Sequence, residues 1–197
     1  MSFNIHPEHL TNRAINAVLK RAEKGHLPLF TWSLGLGYGD WVKMRAVCIT
    51  GYLRFLTITP QSFVVIKNMT PQLFFELSRS IFKHRSSSVD VEKANWLART
   101  LAAGCFGERH LWQDLGLSGR QDVSLLIATN FPELFNKNTS DMKWKQFLLT
   151  ELLGKDKCLE MLFPACQGCD EFTTCFQEAD FRDSSTSRSA YLVAQPA

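Results

Sequence analysis

Apolar side chains return at three- and four-residue intervals through most of this chain. That period belongs to the α-helix, whose turn of about 3.6 residues puts such positions on one face. Leu10, Ala14, Ile15, Val18, Leu19 and Ala22 form the first such face, closed by Gly25, which predicts a helix from about Pro7 to Lys24. Leu73, Phe74, Leu77 and Ile81 form another behind Thr70-Pro71, a pair that reads as a hydroxyl N-cap with proline at the first helical position. Between Val89 and Cys105, Val91, Ala94, Leu97, Ala98, Leu101 and Ala102 mark a third, with small residues suited to close packing and a Ser86-Ser87-Ser88 loop able to cap it. His110 to Leu117 reads as a short helix stopped by Gly116, and Ser118-Gly119-Arg120-Gln121 has the capping-box form for a helix from about Gly119 to Thr129. Pro132 to Phe135 predicts a single turn. Ser140 or Asp141 is placed to cap a helix carrying Met142, Trp144, Phe147, Leu148, Leu149 and Leu152 to a stop at Gly154.

Two stretches do not follow the period. Gly35-Leu36-Gly37-Tyr38-Gly39 opens a short helical pattern from Asp40 to about Cys48; with no clear strand before it and the rest of a phosphate-binding fingerprint missing, it reads as a connector turn. Residues 49 to 68 are rich in Thr, Ile, Val and Phe, yet they alternate poorly and contain Pro60, so their conformation stays open. The expected fold class is all-α: a compact multi-helix domain over residues 1–154, a cysteine-rich metal-binding loop over 155–176 packed on it, and a disordered tail over 177–197, where Asp183-Ser-Ser-Thr-Ser-Arg-Ser189 is too poor in apolar groups to pack.

At 45% hydrophobic and 21% charged residues the composition is that of an ordinary globular protein, and a net charge of +3 without a basic block lacks the electrostatic footprint of a nucleic-acid binder. No basic-then-apolar leader opens the chain and no run of about 18 uninterrupted apolar residues follows, so no membrane partner and a cytoplasmic location are expected. In that reducing compartment six cysteines do not read as a disulfide framework. Cys48 and Cys105 sit among apolar neighbours, as packed cysteines do. The other four, Cys158, Cys166, Cys169 and Cys175, crowd into one short segment, and thiolates so spaced can converge on one soft metal centre. A zinc ion with four sulfur ligands and a metal–sulfur cluster both satisfy that pattern.

Several ordered motifs narrow the choice. His110-Leu-Trp-Gln-Asp-Leu-Gly-Leu117, Phe131-Pro132-Glu-Leu134, Asn138-x-x-Asp141-Met-Lys-Trp-Lys145 and the cysteine cluster ending Cys175-Phe176 stand behind Leu27-Pro28-Leu29, Leu34-Gly-Leu36 and Asp40-Trp41. Taken together they resemble the NifQ family over roughly residues 20 to 176. The resemblance implies a molybdenum-processing protein of nitrogen fixation, a carrier rather than an enzyme. Such a protein holds a molybdenum–iron–sulfur cluster and donates molybdenum to assembly of the nitrogenase iron–molybdenum cofactor, with the nitrogenase iron protein and the cofactor-assembly scaffold as partners. It also implies a ligand set of four cysteines spaced by four, two and five residues. Cys166, Cys169 and Cys175 match the last three, while Met161, a neutral and weaker thioether donor, stands at the first. Cys158, three residues upstream, is the candidate fourth ligand; the alternative is a three-thiolate site with an open position. Asp170 and Glu171 beside the cluster read as solvated charges, and Lys155 and Lys157 as weak partners for its negative charge.

Outside the cysteines, His110 and Asp114 lie four apart in a helical pattern, where a carboxylate can orient an imidazole for metal ligation; local hydrogen bonding at a helix end is the plainer role. A structural zinc module in a regulatory or interaction protein is the alternative function. A redox enzyme built on an iron–sulfur cluster lacks any flavin or nicotinamide fingerprint to couple to.

Overall fold

Nine α-helices and one short 3-10 helix follow one another in the computed structural model, which describes residues 7–49, 58–155 and 158 and has no strand among them. They are α1 (Pro7–Glu23), the 3-10 turn Leu29–Trp32, α2 (Tyr38–Cys48), α3 (Pro60–Asn68), α4 (Gln72–Lys83), α5 (Val91–Cys105), α6 (Leu111–Asp114), α7 (Arg120–Asn130), α8 (Pro132–Lys137) and α9 (Trp144–Leu153). The all-α expectation therefore holds over the described residues. Beyond Lys155 and Cys158, the expected cysteine-rich loop and tail lie outside them. No helix among the described residues is long and apolar enough to cross a membrane.

The centre of the fold is α5. From Trp96 to Cys105 every residue but Arg99 is buried, which is how a helix sheathed on most sides by others must read. Its Ala98, Ala102, Ala103 and Gly104 keep the surface low enough for α1 and α4 to pack against it. On α1 the buried residues Leu10, Ala14, Ile15, Val18 and Leu19 are those its period picks out. The helix closes as expected at Gly25, with the Gly25 and His26 amides donating to the carbonyls of Ala22 and Arg21 at 3.0 and 2.9 Å. α4 and α5 both pack on α9, so the last described helix lies against the middle of the body.

The stretch left open by its composition, residues 49–68, contains a helix: Pro60 occupies the first turn of α3 and Thr59 Oγ1 accepts from the Ser62 amide at 3.2 Å. Residues 50–57 lie outside the described set. α3 is held from its inner side by Phe63, whose ring centre is 4.9 Å from that of Trp41 in α2. The glycine run is the connector expected of it. Leu34 and Gly35 both have positive φ, +48° and +62°, and the Leu34 carbonyl accepts from Arg99 Nη1 at 2.9 Å. A Cβ on Gly35 would lie 2.7 Å from the Phe75 ring, so the backbone conformation and the space both call for glycine.

Several caps differ from the sequence expectation. Thr70 does not cap α4; Pro71 takes the N-cap position and no side chain serves there. α5 is capped by Asp90, whose Oδ1 accepts from the Lys93 amide at 2.8 Å, not by the serines before it, and Val91 is 55% exposed and not part of the buried stripe. The Ser118 capping box does not form. Gly119 is the N-cap of α7, the Ser118 hydroxyl accepts from Arg13 Nη1 at 3.3 Å, and the Ser118 amide donates to Asp122 Oδ2 at 2.9 Å. α9 begins at Trp144, later than Ser140 or Asp141 would place it, because Asp141 has φ +52° and cannot lead into a right-handed helix.

Candidate functional site

The motif around α6 and the motif that opens α9 meet in the interior. Asp114, the last residue of α6, is fully buried at 0% exposure, which a carboxylate tolerates only when its charge is matched. Lys145, in the first turn of α9, supplies the match with Nζ 3.0 Å from Asp114 Oδ2. The same ammonium donates to the Gly107 carbonyl at 2.9 Å and to the Arg109 carbonyl, so each of its three N–H groups has an acceptor. Arg21, in the last turn of α1, sets Nε 3.3 Å from Asp114 Oδ1, and the Arg109 amide donates to Oδ2 at 3.3 Å. One carboxylate thus ties α1, the turn before α6, α6 itself and α9.

The loop 138–143 aims Lys145 inward. Asn138 makes a two-way bond with Met142, its Nδ2 donating to the carbonyl and its Oδ1 accepting from the amide, each at 2.9 Å. Arg120 Nη2 donates to the carbonyls of Asp141 and Met142 at 2.7 and 2.9 Å and also pairs with the Asp141 carboxylate. Trp144 Nε1 donates to Ser124 Oγ at 2.8 Å. Each polar residue of Asn138-x-x-Asp141-Met-Lys-Trp-Lys145 with a described partner therefore holds the loop in shape or enters the buried pair. A neighbouring hollow of about 170 Å³ has Lys137 and Glu151 in its lining, and these two pair with each other at 3.2 Å.

His110 takes the plainer of its two expected roles. It is the N-cap residue of α6, with non-helical φ −58° and ψ 144°, and its amide donates to Gln113 Oε1 at 3.2 Å. The Asp114 oxygens are engaged by Lys145, Arg21 and the Arg109 amide, so the pair that the four-residue spacing suggested is not a metal-orienting dyad. The spacing argument needs both residues inside the helix, and an N-cap residue is not. The roles of Arg21, Arg120 and the Gly107 carbonyl could not be read from the sequence, because their partners are far away along the chain.

Cys48 and Cys105 are buried, as their apolar neighbours suggested. Burial pushes the Cys48 thiol up to about 11 and the Cys105 thiol up to about 12, from an ordinary 9.0, with Lys93 and Lys145 respectively opposing the rise. Neither is an activated thiolate. Cys158 is also buried, with Sγ 3.8 Å from the Gln146 carbonyl of α9, and it lies near enough to Cys105 to raise that thiol further. Cys166, Cys169 and Cys175, with Met161, Lys157, Asp170 and Glu171, lie outside the described residues. Among the described residues no three His, Cys, Asp or Glu side chains gather where they could hold a metal ion.

The raised thiols predict an alkaline loss of stability. An unfolded cysteine releases its proton near 9.0, whereas Cys105 keeps its own until about 12, so between those values the folded state binds more protons and stability falls as pH rises. Urea midpoints measured from pH 8 to 11 should fall less steeply in Cys105→Ala than in the unaltered chain; equal slopes would show that this thiol does not contribute.

The description NifQ belongs to the family model that matches residues 14–177. Among curated proteins, Protein NifQ of Azotobacter vinelandii is 38% identical over 81 residues, 41% of this chain and 42% of that protein. Protein NifQ of Rhodobacter capsulatus is 38% identical over 90 residues, 46% and 50% of the two chains. In both cases the match spans half or less of the relative's length. Protein NifQ of Klebsiella pneumoniae is 29% identical over 164 residues, 81% of this chain and 93% of its own. No solved structure matches the chain.

Proposed function

The chain belongs to the NifQ family, and from that premise we propose that it carries molybdenum in an iron–sulfur-type cluster and donates it to assembly of the nitrogenase iron–molybdenum cofactor. The observation that carries this reading is the coincidence of the family match over 14–177 with Cys166, Cys169 and Cys175 at the spacing the resemblance implies. The donor set fits the cargo: thiolates are soft, anionic ligands suited to iron and molybdenum bound through sulfide, whereas carboxylates and carbonyls suit harder ions. A donor must also release what it holds, so a closed cage of protein ligands would defeat the purpose. The chain acts as a carrier rather than a catalyst, with the nitrogenase iron protein and the cofactor-assembly scaffold as its partners.

In this reading the helical body is the rigid part. The buried Asp114–Lys145 pair and the Asn138 and Arg120 bonds fix where α9 starts, and α9 leads toward the cysteine-rich segment. The test is anaerobic purification followed by analysis for iron, molybdenum, zinc and acid-labile sulfide, with visible absorption. Coloured protein containing iron and sulfide, able to take up molybdenum, is expected, and Cys166→Ser should lose most of that metal. Colourless protein with stoichiometric zinc and no sulfide would overturn the carrier in favour of a structural zinc module.

A further inference from the structure

We infer that Cys158 fastens the cysteine-rich segment to the helical body and does not ligate the cargo. The inference rests on the carrier reading given above and says which of the four clustered thiols takes no part in it. Cys158 is 2% exposed, the same as the core residue Cys105. Its amide donates to the Gly154 carbonyl at 3.1 Å, a helical-type bond just after the glycine, at φ +90°, that ends α9. Its sulfur faces the Gln146 carbonyl at 3.8 Å, and a carbonyl accepts from an S–H but has nothing to offer a thiolate. The residue is thus held to α9 by its backbone amide and by its thiol.

Ligation asks for the opposite surroundings. A cluster metal must come within about 2.3 Å of the sulfur, and its bridging sulfides and remaining ligands need room directly behind it. Protein interiors are packed too closely to admit a group of that size beside a fully covered side chain. Cys158 would have to leave the core to bind, breaking the Gly154 bond and opening a hole next to Cys105. Met161, at the position where the resemblance calls for a cysteine, supplies only a thioether.

Two measurements on the full chain test this. In the native metal-free protein, iodoacetamide labelling followed by mass spectrometry should modify Cys158 at least about 100-fold more slowly than Cys166, Cys169 and Cys175, since it must wait for local opening. Comparable rates would overturn the anchor. In Cys158→Val, which replaces the thiol with apolar groups of slightly larger volume, iron and sulfide per chain after reconstitution should equal those of the unaltered protein, whereas Cys166→Ser should lose them. Loss in Cys158→Val as large as in Cys166→Ser, with an unchanged thermal midpoint, would make Cys158 a ligand and sink the inference. If Cys158→Val does not fold, the labelling of the unaltered chain decides. Failure of the unaltered protein to take up iron and sulfide would instead count against the carrier reading, and the labelling result would stand apart from it.

Discussion

Replacing Lys145 with methionine should lower folding stability by about 3 kcal/mol, the low end for breaking a buried ion pair, because the Asp114 carboxylate then has Arg21 as its remaining described counter-charge. Methionine keeps most of the aliphatic stem, so the loss isolates the ammonium. Without it, Asp114 remains at 0% exposure with only Arg21 and the Arg109 amide near its oxygens, and the Gly107 and Arg109 carbonyls lose their donor. The control is built into the same molecule. Lys43 pairs with Glu92 at 3.2 Å, nearly the Lys145–Asp114 distance of 3.0 Å, but its two side chains are 61% and 55% exposed. Lys43→Met should therefore change stability by no more than about 0.5 kcal/mol. Urea unfolding with unchanged m would measure both, and equal losses would refute the burial argument. The double variant Asp114→Leu with Lys145→Met should recover only part of what the single change loses, since it removes the stranded carboxylate but leaves Arg21 and the Gly107 and Arg109 carbonyls without their partners.

Gly107→Ala should be the second large loss, about 2–3 kcal/mol, the range of an overpacked interior. Glycine-to-alanine changes in a turn of ordinary backbone conformation usually stabilise by about 0.4–1 kcal/mol, since the unfolded chain loses freedom. Gly107 has no left-handed φ to forbid alanine, so the usual sign would apply if space were free. It is not. The added Cβ would fall 2.5 Å from Asp114 Cγ, inside the carboxylate's van der Waals shell, and would push it off Lys145 and the Arg109 amide. The cause can be separated from the effect by making the change in an Asp114→Ala background. There the obstructing group is gone, and the further loss from Gly107→Ala should shrink below about 1 kcal/mol. A loss that stays the same in both backgrounds would place the strain in the backbone of the turn instead.

Much of the helical body could be read before any coordinates. α1, α4, α5, α7 and α9 announce themselves because a helix repeats its buried face within one or two turns, so the signal is local and redundant. Their starting points were harder. Thr70, Ser118, and Ser140 or Asp141 all have the residue type and spacing of a cap, yet Ser118 is engaged by Arg13 and Asp141 by Arg120, partners about a hundred and about twenty positions away. A hydroxyl or carboxylate that can cap can equally well serve a distant cation, and only the packed chain says which. α3 was unreadable for another reason: its β-branched residues favour strands in isolation, and its Thr59 cap and the contact of Phe63 with Trp41 decide in favour of helix.

The functional reading divides along the same line. The cysteine spacing and the ordered motifs of residues 110–145 are properties of neighbouring positions in the chain, and they pointed to the family without any structure. What the motifs do in the fold was hidden. Asp114 sits four residues from His110 but takes its charge partner from Lys145, thirty-one residues on, with Arg21 from the first helix and Gly107 clearing the space. Residue type and local period thus determined the helices, the thiol set and the kinship of this chain. Which charges meet, and that Cys158 is buried against α9, was decided only by the tertiary structure, because burial and through-space pairing arise when distant segments pack together and leave no periodic trace along any one of them.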